Sequence, residues 1–263
     1  MRGADARRWL HDLVTADIEG LPDRRTLRSL ILTPTGRIRA DFHVARVDGS
    51  YLLLQSPDQP EPVDAILAPY VLSSDVEMED RAARTTVIAV LGGGATEDGD
   101  AVVLSPSILG HGRDLVVSAG EPAARVRAHL RAVGLVEAGA EDLEIWRIRR
   151  GIARMGADFD AGALPAEAGL EDVIDFTKGC FLGQESVSKV RNLGHPRHVL
   201  RHVRSRSPIA RGAPVVSGDV VVGEVTSSAD GLDGTDAIVR VRWDATSKPL
   251  GTRDAPLSLQ HEQ

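Results

Sequence analysis

Residues 178–185 read KGCFLGQE, and this stretch contains the only cysteine in a chain of 263 residues. Two glycines bracket the segment that begins with Cys180, which favours a tight turn, and the following GQESVSKV has the pattern of a helix. Lys178 lies two residues before the thiol. A cation and a helix N-terminus both stabilise a thiolate, so Cys180 is predicted to be a nucleophile or a soft metal ligand. The alternative is a small buried hydrophobic residue in a turn.

The amide and the carboxylate after the turn also allow two interpretations. Gln184 and Glu185 follow Gly183 at the expected start of the helix. An acidic side chain in a first turn offsets the helix dipole, which is sufficient to explain Glu185. The residue types alone do not decide between a structural role at the helix start and a functional role for Gln184 and Glu185.

Composition predicts a folded protein without a membrane segment. Hydrophobic residues make up 42% and charged residues 26% of the chain, as in ordinary globular proteins. No apolar run is long enough to span a bilayer, and the N-terminal MRGADARRWLHDLV interrupts its apolar positions with charge, so no secretory signal is predicted. We therefore expect a cytoplasmic protein with no membrane partner. One cysteine cannot form an internal disulfide or a four-cysteine metal site, so no permanently bound metal is expected.

The formal charge of −7 is unevenly distributed. Residues 178–211 carry eight basic residues against the single acid Glu185, a local balance of +7. Such a stretch is typical of a site for an anionic ligand, although a solvated arginine-rich strand would look the same. Nucleic acid is not expected as a partner, because the stretch has almost no aromatic residues on which bases could stack.

The order of elements predicts an α+β fold with a terminal β module. Helical spacing in residues 5–14 is followed by TLRSLILT, RIRADFHV and YLLLQ, which indicate an antiparallel meander. Residues 61–72 and EPAARVRAHLRAVG return to helical periodicity. After Pro196 the segments are short and β-branched, which favours a small antiparallel barrel. We predict three modules: an N-terminal α+β subdomain, a second α+β subdomain that ends in the KGCFLGQE loop, and the barrel, with ranges 1–80, 81–194 and 195–263.

Two other motifs are set aside. LGGGATEDGD lacks the G-x-G-x-x-G spacing and precedes no helical pattern, so a flexible connection is predicted rather than a phosphate-binding loop. His195, His198 and His202 fall in an expected extended segment, where the last two share a face but lie too far apart for one metal ion.

Several motifs together resemble a known family. RIRRGIARMG, and the long run from LPAEAG through KGCFLGQE to HPRHVL, resemble the signature of the YgfZ-type folate-binding proteins, which support iron-sulfur cluster assembly or repair. GADARRWLHDLVTADIEGL and LTPTGRIRADFHV resemble the N-terminal pattern of that family. GEVTSS resembles the barrel that the family shares with the T-protein of the glycine cleavage system, an aminomethyltransferase. Family members usually carry a first strand that precedes GADARRWL.

The resemblance implies a ring of two α+β subdomains with antiparallel sheets and a small C-terminal antiparallel β-barrel, with tetrahydrofolate or a derivative as ligand. It also implies a reactive Cys180 assisted by Lys178, and iron-sulfur client or assembly proteins as partners. The remaining functional positions that it implies are those of the loop, namely Gly179, Gly183, Gln184 and Glu185. The basic residues offered for the folate are Arg149 and, for the glutamate tail, Arg191, Arg197 or Arg201.

Two alternative functions are open. The first is a tetrahydrofolate-dependent aminomethyltransferase, which needs a carboxylate near the folate amine. The T-protein pattern has a pterin-binding glutamate where this sequence has Arg149, and Asp64, which lies in a suitable region, is explained as an exposed first-turn helix residue. The second is a non-catalytic folate-binding module that has kept only the fold.

Overall fold

The computed structural model describes residues 1–92 and 101–260. Most of LGGGATEDGD, for which a flexible connection was predicted, lies outside the described residues. Within them, helices α1 to α6 are Ala6–Leu13, Val63–Leu67, Glu121–Ala132, Ala140–Arg149, Pro165–Ala168 and Gln184–Leu193. Strands β1 to β12 are Thr26–Leu32, Ile38–Val47, Ser50–Gln55, Thr85–Val90, Val102–Leu104, Arg113–Ser118, His198–Ser205, Pro214–Ser217, Val220–Gly231, Gly234–Arg242, Leu250–Gly251 and Pro256–Leu259.

The chain forms two compact units, and each is assembled from separate stretches of sequence. The first unit comprises Met1–Leu32, Ala40–Glu137 and Val173–Leu182. The second comprises Thr33–Arg39, Ala138–Asp172 and Gly183–Gln263. Because both units are discontinuous in sequence, the three consecutive modules remain a prediction.

The first unit contains two three-stranded antiparallel sheets, in the orders β1-β2-β3 and β4-β6-β5. Strand β2 alternates strictly over Ala40, Phe42 and Val44, whose side chains are buried in one core with Leu10 of α1. This alternation fixes which face of the meander is covered. Helix α3 packs Val126 and other apolar residues in a second core with β4 and β6.

The second unit contains α4 to α6 and a closed barrel with strand order β10-β7-β12-β11-β8-β9. Alternate residues of β7, such as Val199 and Val203, are buried together with Val239 and Val241 of β10. Closure leaves this sheet without an unpaired edge. The predicted α+β class with antiparallel sheets and a terminal barrel is confirmed. None of the described helices has the length and apolarity that a bilayer crossing requires.

Candidate functional site

The cysteine segment, which we define as Val173–Leu182, is anchored on the chain that follows α1. The backbone N–H of Asp175 donates to the carbonyl oxygen of Thr15 at 3.0 Å. The Thr15 hydroxyl donates to the carbonyl oxygen of Val173 at 3.0 Å and accepts the backbone N–H of Leu30 at 2.9 Å. Thr15 is fully buried, so these bonds fix the start of the segment to the first unit.

A side-chain turn sets the direction of the chain before Lys178. Asp175 Oδ1 accepts hydrogen bonds from the Thr177 hydroxyl at 2.6 Å and the Thr177 backbone N–H at 2.7 Å. It also accepts the backbone N–H of Lys178 at 3.2 Å. The Thr177 hydroxyl, followed by these backbone donors, holds the pKa of Asp175 below its usual value. The ionised carboxylate therefore organises the turn.

Lys178 binds the backbone at the end of α1. Its Nζ donates to the carbonyl oxygens of His11 at 2.5 Å, Val14 at 2.6 Å and Ala16 at 2.9 Å. The last carbonyls of a helix lack partners within the helix, and an ammonium group has three donors, so one side chain satisfies the helix end. Burial lowers the pKa of Lys178 to about 8, although nearby carboxylates such as Asp17 oppose the shift.

These contacts give Lys178 a positioning role. All three of its ammonium hydrogens have carbonyl acceptors, so none is left to bind the thiolate. The Nζ atom also lies 5.2 Å from the centroid of the Phe181 ring. Direct participation of Lys178 in catalysis stays a prediction.

The thiol of Cys180 is exposed, whereas the next side chain, Phe181, is buried with 6% of its surface accessible. The alternative that Cys180 is a buried hydrophobic residue is therefore wrong. Gly179 is exposed, and a Cβ placed on it would have one close neighbour outside the adjoining residues, His11 Nε2 at 4.0 Å. An anchored backbone thus presents the thiol to the solvent.

The remainder of KGCFLGQE belongs to the second unit. Gly183 has a φ of 82°, a left-handed conformation that favours glycine, and it caps α6. Gln184 is half-buried in the first turn. Glu185 is exposed and pairs with Lys189 at 2.8 Å, and the Lys189 hydrogen bond lowers its pKa. The predicted helix after the turn is confirmed, and Glu185 has the local partner that a surface helix provides.

A turn from another part of the second unit packs against the first turn of α6. The Ser186 hydroxyl donates to the carbonyl oxygen of Pro34 at 2.9 Å. Gly36 has a φ of 74°, and a Cβ there would lie 2.8 Å from the Ser186 Cβ, which leaves no room for a side chain. The PTGR motif is therefore required for this close approach.

A buried cluster that sequence reasoning missed lies elsewhere in the second unit, around Arg147 of α4. The guanidinium Nε and Nη2 donate to the two carboxylate oxygens of Glu144 at 2.7 and 2.5 Å. Nη1 donates to Asp158 Oδ2 at 2.7 Å and to the carbonyl oxygen of Ile152 at 2.9 Å, and Nη2 also donates to the Ser227 hydroxyl at 2.9 Å. All five donors of the guanidinium have acceptors.

The carboxylate of Asp158 is equally well satisfied. Its Oδ1 accepts the hydroxyls of Thr226 and Ser227, both at 2.7 Å, and its Oδ2 accepts the backbone N–H of Arg154 at 3.0 Å in addition to Arg147. The cluster ties α4 to strand β9. Arg147, Ile152 and Arg154 come from RIRRGIARMG, and Thr226 and Ser227 come from GEVTSS, two of the motifs that carried the resemblance. The two carboxylates, Glu144 and Asp158, lie just outside RIRRGIARMG, so the motifs were only a partial signal.

Of the four arginines offered for the folate, three are exposed at separate places in the second unit, whereas Arg201 of β7 is half-buried and donates to the carbonyl oxygen of Leu200 at 2.9 Å. Arg149, at the end of α4, donates from Nη2 to the carbonyl oxygen of Asp230 at 3.1 Å. Arg191 lies in the last turn of α6. Arg197 immediately precedes β7, and its carbonyl oxygen accepts the backbone N–H of Trp243 at 3.1 Å.

Neither Asp64 nor Asp41 provides the available carboxylate that a transferase would need. Asp64 is exposed in the first turn of α2, as expected from its sequence. Asp41 of β2 is nearly buried, but both of its oxygens accept hydrogen bonds from Arg28, at 2.8 and 2.6 Å. Over residues 1–92 and 101–260, no cluster of three or more His, Cys, Asp or Glu side chains could hold a metal ion.

The chain matches no protein-family model. The curated relatives include a chloroplastic protein of Arabidopsis thaliana that is provisionally named a transferase, 24% identical over 89% of this chain and 60% of its own length. A tRNA-modifying protein YgfZ of Vibrio atlanticus is 22% identical over the whole of this chain and 82% of its own. A mitochondrial iron-sulfur cluster assembly factor homolog of Cryptococcus neoformans is 27% identical over 78% of this chain and 63% of its own.

The fold matches a solved structure. The glycine cleavage system aminomethyltransferase T of Bartonella henselae superposes with a TM-score of 0.82 at 18% identity, over 99% of this chain and 81% of the other. The chain is a relative of YgfZ-type proteins. The predicted resemblance to them, and their relation to aminomethyltransferases, is confirmed.

The chain spans 60% of the Arabidopsis relative and only about a third of an aminomethyltransferase from Streptomyces avermitilis, which is 30% identical over 51% of this chain. Activities named for those longer proteins are therefore statements about them. The likeness to the solved aminomethyltransferase shows the fold in which the cysteine segment lies.

Proposed function

We propose that this YgfZ-type chain is a tetrahydrofolate-binding accessory protein of iron-sulfur cluster assembly or repair, and that Cys180 is its reactive group. The observation that carries the proposal is an exposed thiol on a segment that is anchored up to Lys178 by hydrogen bonds to Thr15, Asp175 and the end of α1. Holding a nucleophile or ligand in one geometry reduces the entropy lost when it reacts.

The folate part of the proposal is supported by the aminomethyltransferase fold and by exposed guanidinium groups. Arg197 is exposed between the end of α6 and the start of β7. A guanidinium at this position is accessible to the carboxylates of a folate tail. Arg191 and Arg149 are further candidates, although Arg149 already donates one hydrogen bond to Asp230. Folate itself supplies an amine that carries one-carbon units, while this chain supplies the charges that hold its tail.

The cluster part is supported by the relative that is named as an assembly factor and by the accessible thiol. One cysteine provides one ligand, so a client or assembly partner must provide the others if a cluster is transferred. Exchange of the same thiol with a client disulfide is the second role open to it. The predicted cytoplasmic location is part of this proposal.

A titration with tetrahydrofolate tests the folate part. The fluorescence of Trp9, Trp146 and Trp243 reports binding, after correction for the absorbance of folate. We expect saturable binding by the native chain and by Cys180→Ala. For a polyglutamylated folate, Arg197→Glu should weaken binding about tenfold, since it replaces a charge-assisted pair by repulsion. Arg206→Glu, at an exposed position of the same basic stretch, is the matched control. Absence of binding by the native chain would refute this part.

Complementation tests the cluster part. In cells that lack the endogenous protein, we expect Cys180→Ala to lower the activity of cluster-dependent enzymes while Lys189→Ala leaves it unchanged. A stable cluster on the isolated single chain would contradict the proposal, because the remaining ligands must then come from this chain.

The second candidate is the aminomethyltransferase, which the fold and the relative from Streptomyces favour. It requires a carboxylate available to the folate amine, and Asp41 is occupied by Arg28. Folate-dependent release of ammonia from an aminomethyl-loaded carrier would support it. Without that release, the accessory role is preferred.

A further inference from the structure

We propose that the barrel carries a binding site for single-stranded nucleic acid, in which a base stacks on the paired rings of His195 and Trp243 and the guanidinium of Arg240 binds a phosphate. The site lies wholly in the second unit, where strands β7 and β10 pair. None of these three residues belongs to KGCFLGQE. The inference goes beyond the proposed function, because it involves neither folate nor a reactive thiol.

The first observation is a stack of two aromatic rings on the protein surface. The centroids of the His195 and Trp243 rings lie 3.9 Å apart, and the two ring planes are inclined by only 6°. His195 is exposed, and Trp243 keeps 41% of its surface accessible. Val241 and Ala245, on either side of the tryptophan, are buried in the barrel core. An accessible aromatic stack is the type of platform on which proteins hold the bases of single strands.

The backbone holds the tryptophan in place. The N–H of Trp243 donates to the carbonyl oxygen of Arg197 at 3.1 Å. Its carbonyl oxygen accepts the Thr246 hydroxyl at 2.7 Å and the Thr246 backbone N–H at 3.1 Å. The fold thus brings an aromatic ring to the basic stretch of residues 178–211, which by itself has almost no aromatic residues. The sequence-based reason for not expecting a nucleic acid partner does not apply at this place.

The second observation is a group of cations on the outer face of the same two strands. In β10, Arg240 and Arg242 are exposed and alternate with buried valines, so both side chains point away from the barrel core. Arg240 Nη2 lies 3.5 Å from Nδ1 of His198, and Arg242 pairs with His198 in the register of β7 and β10. Burial, followed by the guanidinium of Arg240, lowers the pKa of His198, and Arg197 and Arg242 add to the shift. Three guanidinium groups therefore lie close to this one imidazole.

Two of the carboxylates near these cations already have partners. Asp244 accepts hydrogen bonds from Nε and Nη2 of Arg242 at 3.0 and 3.3 Å. Glu167, which opposes the shift of the His198 pKa, accepts the backbone N–H of Leu164 at 3.1 Å. Arg242 is thus occupied, and Glu167 is tied to the start of α5.

Arg240 and Arg197 are the cations that remain available. Glu224 of β9 is the register partner of Arg240, yet within residues 1–92 and 101–260 no carboxylate lies within ion-pair distance of either guanidinium. Both arginines are exposed. A guanidinium without a carboxylate partner can bind a phosphate through two parallel hydrogen bonds.

The combination of groups indicates the class of ligand. In a single strand, each base is followed by a phosphate, so one stacking platform beside two available guanidinium groups matches a base and its neighbouring phosphates. A duplex keeps its bases stacked on each other and would use only the cations. The site therefore predicts a preference for single strands over duplexes.

Fluorescence anisotropy of a fluorescein-labelled single-stranded RNA decamer of uridine and adenosine tests the inference with the full chain. We expect saturable binding that weakens about tenfold when the salt concentration rises from about 50 to about 200 mM, as for two to three phosphate contacts. Trp243→Leu should weaken binding about tenfold, because it removes the stacking platform, while Trp243→Phe should retain most of the affinity. Arg240→Glu should also weaken binding about tenfold. Arg197 is left unchanged in all variants, since it is a candidate for the folate tail.

Arg253→Glu is the matched control for charge. It makes the same change at an exposed position between β11 and β12, and its affinity should stay within about twofold of that of the native chain. Circular dichroism checks the folding of each variant. If Trp243→Leu does not fold, His195→Ala takes its place, because this side chain is exposed, and it should weaken binding by removing one ring of the stack.

Three results would overturn the inference: no saturable binding by the native chain, equal binding of a duplex of the same sequence, or unchanged binding by the folded variant that lacks part of the stack. The last two would show attraction by charge alone. The measurement contains no folate and no cluster, so its failure and the failure of the proposed function are distinguishable.

Discussion

Arg147 in the second unit and Lys178 in the first are both largely removed from water, and their partners differ in kind. Arg147 binds two carboxylates, a hydroxyl and a carbonyl, and all five donors of its guanidinium are used within the chain. Burial lowers its pKa, but Glu144 and Asp158 outweigh burial and raise it. Lys178 binds three neutral carbonyls, and its pKa falls to about 8.

The difference separates a closed cluster from an open one. Around Arg147 the guanidinium and the Asp158 carboxylate both have all their partners within the second unit, so the cluster holds the fold. Around Lys178 the ammonium is used, yet Cys180, two residues later, is exposed. A buried charge is thus a poor indicator of function by itself, and an exposed reactive group held beside it is a better one.

The largest expected loss of stability comes from a substitution in the closed cluster. Arg147→Met should lower the free energy of unfolding by about 3 to 5 kcal/mol, because it leaves the buried carboxylate of Asp158 without its countercharge. Denaturant unfolding monitored by tryptophan fluorescence measures the change. Arg149→Met, which removes one exposed hydrogen bond from the same helix, is the control and should cost less than about 1 kcal/mol. A loss below about 1 kcal/mol in Arg147→Met would show that the cluster is not structural.

A substitution in the open cluster should lower the free energy of unfolding by a smaller amount. Lys178→Met removes the donor from three carbonyls at the end of α1, and we expect a loss of about 2 to 3 kcal/mol, since water can reach part of the site. Lys189→Met, which breaks an exposed pair with Glu185, should change the free energy of unfolding by less than about 0.5 kcal/mol.

The effect of Lys178→Met on stability should also depend on pH, which gives a sharper test of the open cluster. Its pKa is about 8 in the folded chain and 10.5 when unperturbed, so between these values the unfolded chain binds more protons. The contribution of Lys178 to stability therefore rises with pH over this window. The stability difference between the native chain and Lys178→Met should widen from pH 8 to pH 10. A constant difference would mean that Lys178 titrates normally.

The two clusters also show what the sequence could predict. Periodic apolar residues predicted α1, the meander, α3 and the barrel, because each of these elements covers an apolar core. Helix α4 was missed because one of its buried residues is Arg147, which removes the apolar signal. The position of Cys180 in a turn before a helix followed from its glycines. The partners of Lys178 could not follow, because they are backbone carbonyls more than 160 residues away, a type of group that every residue has.

A smaller and opposite pH effect is expected for the closed cluster. The Arg147 hydrogen bond holds the pKa of Glu144 below its usual value of 4.5, so Glu144 stabilises the fold above that pH and loses this effect as pH falls through its folded pKa. Glu144→Gln should therefore cost no more than about 1 kcal/mol at pH 7, because solvent screens the partly exposed pair, and much less at a pH below the folded pKa of Glu144. Unfolding curves at both pH values test this, and an equal loss at both would assign the effect to packing.

The smallest expected effect on stability is at the thiol itself. Cys180→Ser should change the free energy of unfolding by less than about 0.5 kcal/mol, because the side chain is exposed and nothing depends on its packing. The comparison is Phe181→Ala, next in sequence, which should cost about 3 kcal/mol or more because the ring is buried. A destabilised Cys180→Ser would place the thiol in the fold. A stable variant that fails in complementation means that the anchored segment is maintained for the chemistry of one sulfur atom.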